Sequence, residues 1–219
     1  MDGVRVSAQD LDRRDSLAAL LGGRRGAIDA TLPPVAFGVG WLISGHSIGI
    51  GVVSALVVGA IVAAWRWRRG TRPRAVLIGL LGVCVAGLIA IYTGRAEDFF
   101  LLQILSNGAS VLAWLISIVV RWPFLGLIAG AALGQRTRWR RDPALLRAYS
   151  RASVVWIFQY VLRLAVFLPL WWAGQVTWLT AARVVMTWPL IAACLAISWW
   201  VLRKSLPPGH PGIRHPQVD

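Results

Sequence analysis

Apolar runs close to the roughly 20 residues of helix that cross a hydrocarbon core recur six times in this chain. They fall at residues 27–44, 46–65, 75–92, 107–134, 149–172 and 178–202. Composition agrees, since 57% of residues are hydrophobic and only 15% charged, far from the averages of a soluble domain. The expected fold is all-α, a polytopic membrane helix bundle of six transmembrane helices. It occupies residues 21–204, between an N-terminal tail at 1–20 and a C-terminal tail at 205–219.

Lys and Arg outnumber Asp and Glu by 23 to 9, a balance that in a soluble chain would point to nucleic acid. The placement of the charges says otherwise. They sit in blocks between apolar runs, as "RWRRGTRPR" (66–74) and "QRTRWRRDPALLRAYSR" (135–151), whereas the alternate loops "SGHS", "TGRAED" and "WAGQVT" hold a single Arg, Arg95. By the positive-inside rule both termini are cytoplasmic and the protein belongs to the cell membrane. The bilayer is then the expected partner and nucleic acid is not. Trp residues beside the basic blocks, in "WRWRR", "TRWRR" and "ISWWVLRK", are expected to anchor helix ends at the interface.

The first 26 residues hold no apolar core of signal-peptide length, so no cleaved leader is expected there. "SLAALLGG" (16–23) fits either a short interfacial helix or a loose tail. The end, "PPGHPGIRHPQVD", is too rich in Pro and Gly for helix and reads as a free tail. Cys84 and Cys194 fall within spans as small apolar fillers, and His46, His210 and His215 lack ligand spacing, so no metal or other cofactor is expected. Gly45 to Gly49 match G-x-S-x-G, but that elbow needs a strand-to-helix turn and triad partners. A membrane hairpin supplies neither, and the chain is not expected to be an enzyme.

Charges inside the apolar runs are the residues most in need of a reason, because an Arg at the bilayer centre costs at least about 2.5 kcal/mol. Arg121, Arg163 and Arg183 are of this kind, with Gln159 one turn before Arg163 on the same face. "SIVVRWPFLGLIAG" parallels "ARVVMTWPLIAACL" (182–195), which suggests one long helix over 107–134 kinked at Pro123, like its counterpart at Pro189. The alternative ends the fourth span at Val120, with Arg121 at the cytoplasmic surface. Pro33, Pro34, Pro123 and Pro189 are the candidate hinges. Gly126, Gly130 and Gly134 form a small-xxx-small face that suits helix packing within the chain or a homo-oligomer. Asp29, Glu97 and Asp98 are the candidate carboxylate partners, although helix-start and loop roles also explain them. Any surplus of guanidinium over carboxylate in the core would favour an anion.

The segments "LGGRRGAIDATLPPVAF", "TGRAEDFFLLQILSNGAS", "RWPFLG", "VLRLAVFLPLWWAG" and "RVVMTWPL" resemble, in order, the motifs of an uncharacterised actinobacterial family of multi-pass membrane proteins, domain of unknown function 3159. That family is itself distantly similar to the intracellular septation protein A group. The resemblance runs from about Leu21 to Lys204 and implies motif positions at Gly22, Gly23, Asp29, Pro33, Gly94, Arg95, Asp98, Asn107, Arg121, Pro123, Arg163, Arg183 and Pro189. It brings no activity with it.

Two functions fit these readings. One is binding or transport of a small anion or an anionic lipid head group, read by Arg121, Arg163 and Arg183 with Asp29, Glu97, Asp98, Gln159 and Asn107 around them. The other is a non-transporting envelope or septation-related scaffold.

Overall fold

The computed structural model describes residues 23–68, 73–135, 137–207 and 211–213, with side chains described from residue 31 onward and, in the third helix, from 77 onward. The segment 16–22 and the side chain of Asp29 lie outside the described residues. Among the described residues there is no strand. Helices α1 (Gly23–Ile43), α2 (Ile48–Arg68) and α3 (Pro73–Thr93) lead through a 3₁₀ turn at Ala96–Phe100 into α4 (Leu101–Val119). A short α5 (Phe124–Ala132) and a second 3₁₀ turn (Arg138–Arg141) precede α6 (Pro143–Trp172) and α7 (Val176–Ser205).

Four of these stretches are long and apolar enough to cross a membrane: α2, Ala96–Val119, α6 and α7. The described parts of α1 and α3, Thr31–Ile43 and Leu77–Thr93, are shorter apolar helices. Large aliphatic and aromatic side chains stand exposed along the long helices, among them Ile61, Leu88, Leu105, Phe158 and Val185, each 60–66% accessible. In water so much exposed apolar surface would aggregate. Against lipid tails the same surface needs no cover.

The chain divides into two compact units. The larger comprises Ala27–Val111 with Gln159–Ala192. Its core is built on Phe37, which is fully buried, stacks on Phe99 at 4.0 Å and 6°, and meets Phe100 edge-on. Small residues let the helices close around these rings: a Cβ added to Gly51 would stand 3.1 Å from Phe37, and one added to Gly87 would stand 2.7 Å from Val52.

Among the described residues, the smaller unit comprises 23–26, 112–158 and 193–213. Trp114 and Trp156 stack in parallel at 5.5 Å, and the Trp156 indole N–H donates to Ser198 Oγ at 3.1 Å. Trp139 is fully buried, lies edge-on to Tyr149 and covers Gly126, where a Cβ would come within 2.7 Å of its ring. The sequence expectation of an interfacial anchor at Trp139 is therefore corrected, because the missing side chain at Gly126 opens a slot that an indole fills. The same packing turns the Gly126 and Gly130 face inward, and both residues are buried within the chain. Trp199 and Trp200 are exposed, and each carries a cation from the next turn of α7, Arg203 at 4.7 Å and Lys204 at 4.9 Å.

The long kinked helix expected over 107–134 is also corrected. Helix α4 ends at Val119, Arg121 adopts φ +58°, and Pro123 caps a separate helix. Arg121 N–H donates to Ile118 O at 3.0 Å and Trp122 N–H to Ser117 O at 2.8 Å, the paired bonds of a left-handed C-terminal stop. Gly134 and Gly174 end α5 and α6 with the same pairing and φ +65°. Pro123 pushes Trp122 out of the helical region, and α5, at nine residues or roughly 14 Å, is too short to span. Pro123 is thus a helix stop and not a hinge within one. Trp122 lies beneath Arg140 at 4.5 Å, beside the basic block of the 3₁₀ turn.

The fifth apolar run begins earlier than its hydropathy suggests. Asp142 accepts from the backbone N–H groups of Ala144 and Leu145 at 2.9 and 3.1 Å, and Pro143 opens α6. An acidic cap followed by proline is a strong helix start. Beyond α7, Gln135 Nε2 donates to Ile213 O at 2.8 Å.

Candidate functional site

Helix α4 carries Gln103, Ser106, Asn107 and Ser110 within its apolar sequence, spaced to lie on one face. In the larger unit this polar stripe lines a cavity of about 560 Å³. Pro33 and Pro34 of α1, Val62 and Arg66 of α2, and Leu80 and Val83 of α3 form further walls, with Tyr160 and Arg163 from α6 and Arg183 from α7. Three of the described lining residues are arginines and none is a carboxylate.

Arg163 is held by the backbone of its neighbour. Its Nη2 donates to Met186 O at 3.0 Å, in the turn before Pro189. Pro189 has no N–H, so the carbonyl that loses its helical donor is that of Val185, the residue before Met186. Thr187 Oγ1 adds a bond to Arg183 O. Both bonds lie within two turns before a proline that stays inside a continuous helix. Of the intramembrane-run arginines, it is thus Arg163 and not Arg121 that meets helix backbone close to a proline.

The amides of the stripe are less well served. Asn107 is 4% exposed, yet its Nδ2 has no hydrogen-bond partner among the described residues, and neither has Gln103 Oε1. A buried amide left unpaired costs about 1–3 kcal/mol. Such groups in a native fold call for a ligand, an ion or a water.

Of the residues singled out in the sequence, Arg163, Arg183, Asn107, Pro33 and Pro34 come together around this cavity. Gln159 is buried one turn before Arg163, its Oε1 unpartnered among the described residues, and is not part of the lining. Arg121 belongs to the smaller unit and is exposed.

Glu97 and Asp98 do not meet the intramembrane arginines. Glu97 Oε1 accepts from Arg95 Nε at 2.7 Å, and buried Asp98 accepts from the Trp171 indole N–H at 2.8 Å, while Arg95 lies over the Trp171 ring. The hydrogen bond to Glu97 holds the Arg95 guanidinium above its ordinary pKa. The expected inward pairing fails because a nearer guanidinium and indole, at the corner between α3 and α4, take both carboxylates.

Sequence reasoning missed Arg66, which the charge pattern assigned to topology, and the neighbours of Asn107. The missed signal was the i, i+3, i+4, i+7 spacing of Gln103, Ser106, Asn107 and Ser110. G-x-S-x-G proves to be the turn between α1 and α2, with Ser47 Oγ accepting from Ile50 N–H. Among the described residues no three His, Cys, Asp or Glu side chains gather as metal ligands do.

Neither a curated protein nor a solved structure matches this chain. A family model described as "Protein of unknown function (DUF3159)" matches residues 21–209, from the start of the helical region to beyond α7. Since that match covers nearly the whole chain, the protein belongs to this family of unknown function.

Proposed function

We propose that this protein is a six-span protein of the cell membrane, with both termini in the cytoplasm, that binds and carries an anion through the cavity lined by Arg66, Arg163 and Arg183, and that it performs no covalent chemistry. The observation that carries the reading is the cavity lining itself: three guanidinium groups beside buried Asn107, whose Nδ2 has no partner among the described residues, within helices whose outer faces are apolar. A lining with guanidinium side chains and no carboxylate among its described residues attracts negative charge. The proline at 189 and the proline pair at 33 and 34 give two of the walls helices able to flex.

The test is the thermal midpoint of the purified protein in nanodiscs, with inorganic phosphate, sulfate and simple carboxylates added in turn. A ligand at 100 times its dissociation constant stabilises by about 2.7 kcal/mol. At least one anion should raise the midpoint in a saturable way, and Arg66→Gln and Arg183→Gln should each weaken the response. A wild-type protein unmoved by every anion, or a response that both variants leave intact, overturns the reading.

A further inference from the structure

The basic segment between α4 and α6 belongs to the smaller unit and shares no residue with the cavity. From 121 to 151 the only acid is Asp142, which is 2% exposed and caps α6. Arg121, Arg138, Arg140, Arg141, Arg147 and Arg151 are all exposed. The turn that carries three of them is fixed in place by Trp139, fully buried in its slot over Gly126. Its neighbours are left on the outside. A 3₁₀ helix turns once in three residues and brings positions i and i+3 into line, which sets Arg138 and Arg141 on one side of this turn. Arg140 lies over Trp122 at 4.5 Å and so joins the turn to the end of α4, while Arg147 reaches back along α6 to donate from Nε to Pro143 O at 3.1 Å. Directly before Arg121, Val119 and Val120 are 75% and 57% exposed. Apolar surface suited to lipid tails gives way to cationic surface within two residues.

We infer that the turn at Arg138–Arg141 is a headgroup site for an anionic phospholipid, with Arg138 and Arg141 holding the phosphodiester and the exposed end of α4 bordering the acyl chains. Guanidinium forks match phosphate oxygens in charge and in geometry. Basic clusters directly beside a membrane helix are the surfaces on which anionic headgroups gather. A nucleic acid or a free phosphate would meet the arginines and leave Val119 and Val120 bare, whereas an amphiphile covers both. The burial of Trp139 adds a second advantage. A turn already pinned in its bound shape loses little conformational freedom when a headgroup docks. Because Asp142 is turned inward to the α6 N–H groups, the one acid of the segment does not compete with the lipid phosphate at the surface.

The test titrates the full chain in a neutral detergent with dihexanoyl phosphatidylglycerol, dihexanoyl phosphatidylcholine and glycerol phosphate, reading the thermal midpoint. Phosphatidylglycerol should raise the midpoint in a saturable way, and the zwitterionic lipid and the bare headgroup should act far more weakly. Arg138→Gln/Arg141→Gln, changed at two exposed positions, should need at least roughly tenfold more phosphatidylglycerol for half of the shift, as expected for the loss of two surface cations that contact a headgroup. Arg203→Gln/Lys204→Gln removes the same charge from the same unit and should leave the titration within about twofold of the wild type. Equal weakening by the two double variants overturns the inference, because net charge alone would then explain the attraction. Glycerol phosphate as potent as the lipid overturns the lipid as ligand. A phosphatidylglycerol response that Arg183→Gln abolishes and Arg138→Gln/Arg141→Gln leaves intact moves the lipid to the cavity and overturns this site while sparing the anion reading. A midpoint unmoved by phosphatidylglycerol overturns it outright.

Discussion

Arg121 shows how a single residue can read as functional for a reason that turns out to be conformational. A guanidinium next to proline in an apolar run suggests a buried charge with a task. In the structure its backbone sits at φ +58°, and its side chain is exposed beside a helix terminus. There a cation meets the negative end of the helix dipole. A non-glycine residue in the left-handed region costs roughly 1–2 kcal/mol, a cost that Gly134 and Gly174 avoid at equivalent stops. Arg121→Gly is therefore expected to hold or raise the thermal midpoint, whereas Arg121→Ile, branched at Cβ, should lower stability by about 1–2 kcal/mol. Thermal unfolding of the two variants decides it, and a Gly variant less stable than the Ile variant would assign the stabilising role to the side chain. The same scale explains Asp98, whose carboxylate holds the Trp171 indole at 2.8 Å. It was legible only as one of two acids in an outer loop, because which acid meets which donor depends on a residue 73 positions away.

At the level of elements, the contrast between the two Trp-Pro segments is instructive. Their sequences are similar, yet α4 stops before Pro123 while α7 continues through Pro189. The hydrogen bonds near the two prolines differ. Around Pro189, Arg163 takes the Met186 carbonyl and Thr187 the Arg183 carbonyl. Around Pro123, Ser117 bridges the break by donating to Trp114 O at 2.7 Å and accepting from Phe124 N–H at 3.4 Å. The stop lets α5 present Gly126 to Trp139, and this contact makes a specific demand on volume. Gly126→Ala would put a methyl group 2.7 Å from the indole, and overpacking of this kind costs about 1–3 kcal/mol. Gly108→Ala in α4, where a Cβ meets nothing within 4 Å, should instead be neutral or mildly stabilising, as Gly to Ala exchanges in helices usually are. Unfolding midpoints of both variants give the comparison. Recovery of the Gly126→Ala loss by Trp139→Leu would tie the effect to that one contact.

For the whole molecule, the asymmetry of charge is the strongest organising term. Basic residues concentrate in "RWRRGTRPR", in the 135–151 block and at the end of α7, and the loops at 44–47, 93–98 and 172–177 are nearly free of them. Reporter fusions at Arg138 and Lys204 are expected on the cytoplasmic side, and fusions at Ser47, Ala96 and Gln175 on the outer side, since Lys and Arg near span ends set orientation. A cytoplasmic signal at Ala96 would remove the six-span arrangement. The Trp residues under Arg203 and Lys204, and Trp122 under Arg140, fit a collar at one interface, where an amphipathic ring and a cation both find their solvent.

The sequence by itself determined the helical class, the positions of most of the long helices and the blocks between them in which positive charge gathers. Each of these is a one-dimensional property: a hydrophobic run long enough to enclose its own hydrogen bonds, and a count of charges between runs. It also marked Arg163, Arg183 and Asn107, because a polar side chain inside such a run is costly wherever it stands. Only the tertiary structure decided that Arg163 and not Arg121 meets polar backbone beside a proline, and that Trp139 is core and not anchor. Only the tertiary structure joined Arg66 and the stripe from Gln103 to Ser110 to one cavity. Those outcomes depend on which helix faces which, and the physical reason they stay hidden is that partners many tens of residues apart supply the donors, the slots and the open space that local spacing cannot specify.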